Sequence, residues 1–110
     1  MTDYYVTSAE DVHTSTGNAG TIGDPMGLFE AFGAVAAGDN IIVMADGTYS
    51  LTTEVLLSTT GTKALPITVF GANSSGTIDG TKPVISGTGM PTSNTIFHHN
   101  QVAQFYHYRY

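Results

Sequence analysis

The hydrophobic pattern of this chain changes near residue 38. Before it, Leu28, Phe32 and Val35 recur at helical spacing, which predicts one amphipathic helix over about residues 25–37. After it, short runs rich in Val, Ile, Thr and aromatic residues alternate with clusters of Gly, Asn, Ser, Asp or Pro. These runs predict short β-strands over about residues 38–110, and "DYYVTS" near the start predicts one more.

The ends of the helix carry their own signals. Asp24 is a good N-cap, Pro25 suits the first helical turn, and Gly38 suits the stop. Gly27 and Gly33 lie inside the predicted helix, and each weakens it by about 1 kcal/mol relative to alanine. We therefore expect the helix to lie on an apolar surface, because it should not be stable alone.

The strand pattern leaves two architectures open. Short strands joined without hairpin dipeptides are compatible with a β-sandwich or with the rungs of a solenoid. The segments "LPITVFGANSSGTIDG" and "KPVISGTG" resemble each other, since each has a proline, then alternating Val or Ile, then a glycine-rich turn. Such an echo is typical of stacked coils.

Composition narrows the classes of function. The 110 residues suit a single domain, and the charged fraction of 11% is less than half the usual ~25%. The net charge is −6, with only Lys63, Lys82 and Arg109 as cations, which excludes nucleic-acid binding by phosphate neutralisation. No apolar run approaches the ~18–20 residues of a membrane span. No signal peptide is visible, and the absence of cysteine excludes a disulfide framework.

Several motifs occur in an order that resembles the opening segment of right-handed parallel β-helix proteins of the pectate-lyase-like superfamily. They are Tyr4-Tyr5-Val6, Pro25, Gly38-Asp39-Asn40-Ile41, Gly47-Thr48-Tyr49, Pro66-Ile67-Thr68 and Pro83-Val84-Ile85-Ser86-Gly87. The resemblance implies an all-β, right-handed parallel β-helix (solenoid) with one N-terminal capping α-helix. Residues 1–110 would form a single domain or the N-terminal part of one, with coils over about 38–110. The family's motifs here specify fold and say little about chemistry.

Catalysis receives weak support from the residues present. Lyases that the chain resembles use a Lys or Arg base, often with Ca²⁺, but Lys82 lies in a turn where a solvated lysine is normal. Asp46 and Asp79 each precede glycine, which is typical of turns, although the two together are a candidate calcium pair. We therefore assign no catalytic residue and no cofactor, and the balance favours a protein that is not an enzyme.

Histidines and glycines offer two further candidate sites. His98 and His99 are adjacent, so on a strand their side chains diverge, and a zinc site with His107 lacks a third clear ligand. The segment "GNAGTIGDP" resembles a phosphate loop superficially but has no following Gly-Lys-Ser/Thr. We interpret it as a loop and assign no metal site.

The last ten residues, "QVAQFYHYRY", are the most unusual feature. Strand alternation would place three tyrosines on one face and Phe105, His107 and Arg109 on the other. One face would be core, and the other a stripe suited to sugar rings or to a subunit interface. The alternative is the next rung of a longer solenoid. The candidate ligand or interface residues are Phe105, Tyr106, His107, Tyr108, Arg109 and Tyr110.

Two classes of function follow from these observations. The first is a non-catalytic structural or adhesion module of a larger assembly, such as a virion decoration, tail or fibre protein. Its partners would be further copies of the chain or other subunits, with a polysaccharide as a further candidate, and a virion or extracellular surface is favoured over the cytoplasm. The alternative is the N-terminal fragment of a polysaccharide lyase or other carbohydrate-active enzyme.

Overall fold

The described part of the chain contains one short helix and eight short strands, joined by loops. The computed structural model describes residues 1–14, 17–57, 59–91, 97–99 and 106–109. In chain order the elements are β1 (Asp3–Val6), α1 (Leu28–Ala34), β2 (Asn40–Met44), β3 (Thr48–Ser50), β4 (Val55–Leu57), β5 (Ile67–Ala72), β6 (Val84–Ser86), β7 (Phe97–His99) and β8 (Tyr106–Arg109).

The strands form three parallel sheets. The largest has four strands in the order β1-β2-β5-β8, and the other two pair β3 with β6 and β4 with β7. In the large sheet Ile41 lies opposite Val69, and Val43 lies opposite Gly71. Because all these ladders are parallel, partner strands are joined by long stretches of chain and not by hairpins.

The predicted fold class, an all-β right-handed parallel β-helix with a capping helix, is wrong. No closed solenoid is found among the described residues, which form a small body measuring 35 × 34 × 28 Å. Two of the sheets have two strands each in the part of the chain that the structure describes, and α1 packs against β4 of one of them. The sequence pattern correctly indicated short strands, but the likeness between "PITV" and "KPVIS" does not by itself enforce closure of the coils.

The core lies between the large sheet and the helix. Leu28 and Phe32 of α1 are fully buried in the same apolar cluster as Ile41 and Ile67. The cluster continues to the smaller sheets through Tyr49, Leu51, Val55 and Leu57. The apolar surface that a weak helix needs is therefore present.

Helix α1 is shorter than the predicted span. Its N-cap is Gly27, which has an extended backbone and no side chain that could cap the helix. Its C-cap, Val35, is also extended. Asp24 is not the N-cap, because its Oδ2 accepts a hydrogen bond from the Ala19 N–H at 2.9 Å inside the preceding loop. Gly38 lies beyond the helix in the left-handed region, with φ +87°.

The two ends of the large sheet differ. At the β1 end, the chain before the helix covers the strand: the Tyr5 N–H donates to the Gly20 carbonyl at 2.7 Å, and the Met26 N–H donates to the Tyr5 carbonyl at 2.9 Å. The Thr7 N–H then donates to the Met26 carbonyl at 3.0 Å. At the opposite end, β8 pairs with β5 on one side, and no further strand lies beyond it in the described part of the sheet.

Candidate functional site

The structure places four of the six predicted interface residues on β8. Phe105 and Tyr110 lie outside the described residues. The backbones of Tyr106 and Tyr108 lie opposite Ile67 and Val69 of β5, and those of His107 and Arg109 lie opposite Thr68 and Phe70. The predicted division of the side chains between two faces stays a prediction, since the register describes the backbone alone.

Tyr108 is the informative side chain of this strand. Its row across the sheet runs through Val69, Ile41 and Tyr4. Val69 is 7% exposed and Ile41 is fully buried, whereas Tyr108 is 42% exposed. The aromatic residue thus continues the core-facing row of the sheet but is only partly covered within the described chain.

Arg109 is the described cation nearest to Tyr108 in sequence. It is exposed and lies opposite Phe70, which is only half-buried. The edge strand therefore presents one aromatic ring and one guanidinium to solvent, a pair that is common at protein interfaces.

A cleft beside α1 is a second candidate site. It has a volume of about 630 Å³ and is shallow and widely open to solvent. We call it the helix cleft; its walls come from β1, from the loop between β1 and α1, and from one side of the helix. The lining residues are Tyr4, His13, Thr14, Asn18, Ala19, Met26, Phe29, Glu30, Gly33 and Ala34.

His13 is held in one orientation at the wall of the helix cleft. Its Nε2 accepts a hydrogen bond from the Thr52 N–H at 3.1 Å, and its Nδ1 lies 3.8 Å from Asp11 Oδ1. Its ring meets Phe29 edge-on, with 4.9 Å between ring centroids. The backbone N–H of Thr52 makes Nε2 the acceptor in this arrangement.

Glu30 ties the helix to the glycine-rich loop. Its Oε2 accepts a hydrogen bond from the Gly17 N–H at 3.0 Å, and Asn18 Nδ2 donates to the Pro25 carbonyl at 2.8 Å. The loop that superficially resembles a phosphate loop therefore forms one wall of the cleft. None of the lining residues in the described part of the chain is Lys or Arg, so these residues offer no cation for a phosphate.

Sequence reasoning missed the helix cleft because its walls are distant in the chain. Tyr4, His13 and Phe29 belong to different segments and share no motif. The one usable signal was the alternation of "DYYV", which places Tyr4 on the same face as Val6 and hence beside the core. No spacing rule pointed to His13.

The candidate calcium residues take up separate local roles. Asp46 accepts hydrogen bonds from the Ser8 N–H at 3.0 Å, from Ser8 Oγ at 2.9 Å and from Thr7 Oγ1 at 2.5 Å. Asp79 instead accepts from Thr81 and Asn73 within its own turn. Within the described ranges, no group of three or more His, Cys, Asp or Glu residues could hold a metal ion.

Hydrogen bonding sets the charge state of Asp46. Partial burial acts to raise the pKa of this carboxyl, but the bonds from Thr7 and Ser8 outweigh it and hold the pKa below its ordinary 3.8. The nearby Tyr49 is fully buried, and its hydroxyl lies 2.6 Å from the Met44 carbonyl and 2.9 Å from that of Val6. Burial, and then the charge of Asp46, raise the pKa of Tyr49 well above its ordinary value.

The remaining candidates lie on other elements of the described chain. Lys82 is exposed in the loop before β6. The backbones of His98 and His99 lie on β7, opposite Leu56 and Leu57. His107 lies on β8 in a different sheet.

Comparison with protein-family models, with curated proteins and with solved structures finds no match to this chain. The resemblance to the pectate-lyase-like superfamily therefore stays a prediction. No helix in the part of the chain that the structure describes is long and apolar enough to cross a membrane.

Proposed function

We propose that this protein is a non-catalytic structural module that joins a larger assembly through β8. The observation that carries the proposal is the exposure of Tyr108. An aromatic ring that continues a core-facing row leaves apolar surface in water, and burying it against a partner would be favourable.

The position of β8 at the end of the sheet adds a backbone contribution. A strand at the end of a sheet can accept a further strand along its outer edge. At the opposite end of the sheet, the Gly20 to Met26 segment already occupies the backbone groups of Tyr5. Strand addition is therefore favoured at β8 and disfavoured at β1.

This difference between the two ends favours a second copy of the chain as the partner. Head-to-tail stacking would place β8 of one copy against β1 of the next, where the covering segment stands in the way. Pairing of β8 with β8 meets no further strand in the described part of the sheet, and a contact between identical surfaces closes on itself. We therefore expect a discrete dimer, not a fibre.

Light scattering after size exclusion tests the proposal. The unaltered chain is expected to elute as a dimer at micromolar concentration, and Tyr108→Glu as a monomer, because the substitution places a charge in the contact. Leu65→Glu is the matched control, since it adds the same charge at an exposed apolar residue outside β8, and it should stay dimeric.

Either of two results would overturn assembly through β8. One is a folded, monodisperse monomer for the unaltered chain at all concentrations tested. The other is an oligomer that Tyr108→Glu leaves unchanged. The virion setting and the alternative as a fragment of a carbohydrate-active enzyme stay predictions from the sequence.

A further inference from the structure

We propose that Asp79 is a site of spontaneous covalent modification, at which the folded chain changes from an aspartyl to an isoaspartyl linkage, while the fold protects Asp46 from the same reaction. Each of these residues precedes a glycine, Gly80 and Gly47 respectively, and no other aspartate in the sequence does. Both aspartates are exposed, so the difference between them comes from what surrounds each pair.

The reaction needs only the chain and water. The Gly80 nitrogen attacks Cγ of the protonated Asp79 carboxyl, and the N–H proton leaves with the carboxyl hydroxyl as one water, which closes a five-membered succinimide ring. One water then adds back. Hydrolysis of the bond between nitrogen and Cγ restores aspartate, whereas hydrolysis at the backbone carbonyl leaves the chain running through Cγ. Glycine favours the attack because it has no Cβ to hinder the approach of its nitrogen.

The surroundings of Asp79 leave room for the ring. The pair lies within the loop over residues 73–83 that joins β5 to β6, and a Cβ at Gly80 would meet nothing within 4 Å. The hydrogen bonds that the Asp79 carboxylate accepts come from Asn73 and Thr81 of the same loop. Ring closure there rearranges a loop and does not need to displace a strand.

The surroundings of Asp46 oppose the ring. Residues 45–47 are all that separates β2 from β3, so both sides of the pair are fixed by strand pairing. The Asp46 carboxylate accepts hydrogen bonds from Thr7 and Ser8, which are 39 and 38 residues away in the chain. A Cβ at Gly47 would collide with Ser8 Oγ, so the backbone is closely covered there. Closing the ring would break contacts between distant parts of the fold.

Storage of the chain in mildly acidic solution, followed by unfolding and digestion with Asp-N protease, tests the proposal. The hydrogen bonds from Thr81 and Asn73 lower the pKa of Asp79 below its ordinary 3.8, so mild acid is chosen to increase the protonated fraction. The protease cleaves before aspartate but not before isoaspartate, and mass spectrometry of the fragments follows each site separately. We expect cleavage before Asp79 to be lost at least about fivefold faster than cleavage before Asp46, because opening the contacts of Asp46 adds to its barrier.

Two controls separate the fold from the local sequence. In the chain kept unfolded in urea, both sites should lose cleavage at similar rates, since neither is protected. Gly80→Ala should slow the loss at Asp79 several-fold, because the added Cβ hinders the attacking nitrogen, and should leave Asp46 unaltered. Thermal unfolding of this variant shows that the fold is retained.

Four results would overturn the proposal: equal rates at the two sites in the folded chain, retained cleavage before Asp79, the same difference between the sites in urea, or an unchanged rate in Gly80→Ala. Because cleavage is followed at single residues of the stored chain, the readout does not rely on contacts made by β8. Failure of assembly through β8 would therefore not be mistaken for failure of this site.

Discussion

Tyr49 joins the ends of two neighbouring strands. Its hydroxyl lies within hydrogen-bond distance of the carbonyls of Val6, the last residue of β1, and Met44, the last residue of β2. The ring is fully buried, so the hydroxyl has no access to water in the folded state. A buried hydrogen bond of this kind contributes about 1 kcal/mol to stability, and more when its loss leaves an acceptor unsatisfied.

Tyr49→Phe should lower the free energy of unfolding by about 1–2 kcal/mol while leaving the fold intact. The ring still fills its place in the core, so the loss measures the hydroxyl. Urea unfolding followed by circular dichroism checks this, with Tyr5→Phe as the control at a half-buried tyrosine. An unchanged stability would show that the carbonyls of Val6 and Met44 are satisfied without Tyr49.

Asp46 connects residues that are far apart in the sequence, since it holds Thr7 and Ser8 in the loop after β1. The pKa of its carboxyl is lower in the folded chain than its ordinary 3.8. Its contribution to stability is therefore fully present above the ordinary value and is lost as the pH falls through the lowered folded-state pKa.

Asp46→Asn should destabilise the protein at neutral pH by about 1 kcal/mol, because the side chain is exposed and solvent screens its interactions. It should also flatten the decline of stability as the pH falls below about 4, since the titrating group is gone. Urea unfolding from neutral pH down through this range measures both effects. Glu10→Gln removes an equal charge outside the Asp46 contacts and should keep the slope; an unchanged slope in Asp46→Asn would contradict the assignment.

At the scale of the element, two glycines around α1 have opposite roles. From helix propensity alone, Gly27 and Gly33 are both expected to weaken the helix. A Cβ at Gly27 would lie 2.3 Å from the Asp11 carbonyl oxygen, whereas a Cβ at Gly33 would meet nothing within 4 Å. Gly27 is needed because the loop that carries Asp11 approaches the helix closely there. Gly33 only lowers the stability of the helix, since glycine has a low helix propensity.

Gly27→Ala should destabilise the chain by about 1–3 kcal/mol, because a backbone oxygen cannot yield as a side chain would. Gly33→Ala should stabilise it by about 1 kcal/mol, since alanine loses less entropy in a helix. Thermal unfolding of the two variants side by side checks the pair. If both substitutions shift the melting temperature in the same direction, the distinction drawn from Asp11 is wrong.

The same helix shows which features local sequence can predict and which it cannot. Leu28 and Phe32 were assigned to its buried face from their spacing, and both are buried. Its start was misplaced because Asp24 carries the usual signal of an N-cap, yet its carboxylate serves Ala19 in the loop. A capping side chain can satisfy any nearby N–H, and only the fold of the loop decides which one is in reach.

At the scale of the whole molecule, strand positions were predictable and their arrangement was not. Short runs of apolar residues located β2 and β5, because Ile41 and Val69 must leave water. These runs do not determine that Ile41 lies opposite Val69, or that the sheets stay separate without closing into a solenoid. The helix cleft was unpredictable for the same reason, since its walls meet only after the strands have paired.

The parallel pairing also governs how the chain reaches this state. Residue 40 pairs with 68, residue 48 with 84, and residue 55 with 97, so each of these ladders closes a long loop before its contacts are gained. The helix, with seven residues and a glycine inside, cannot persist alone as a nucleus. Folding of such a chain is expected to be slow for its size. During that interval its apolar strands stay unpaired, so aggregation competes with folding when newly made molecules are at high concentration.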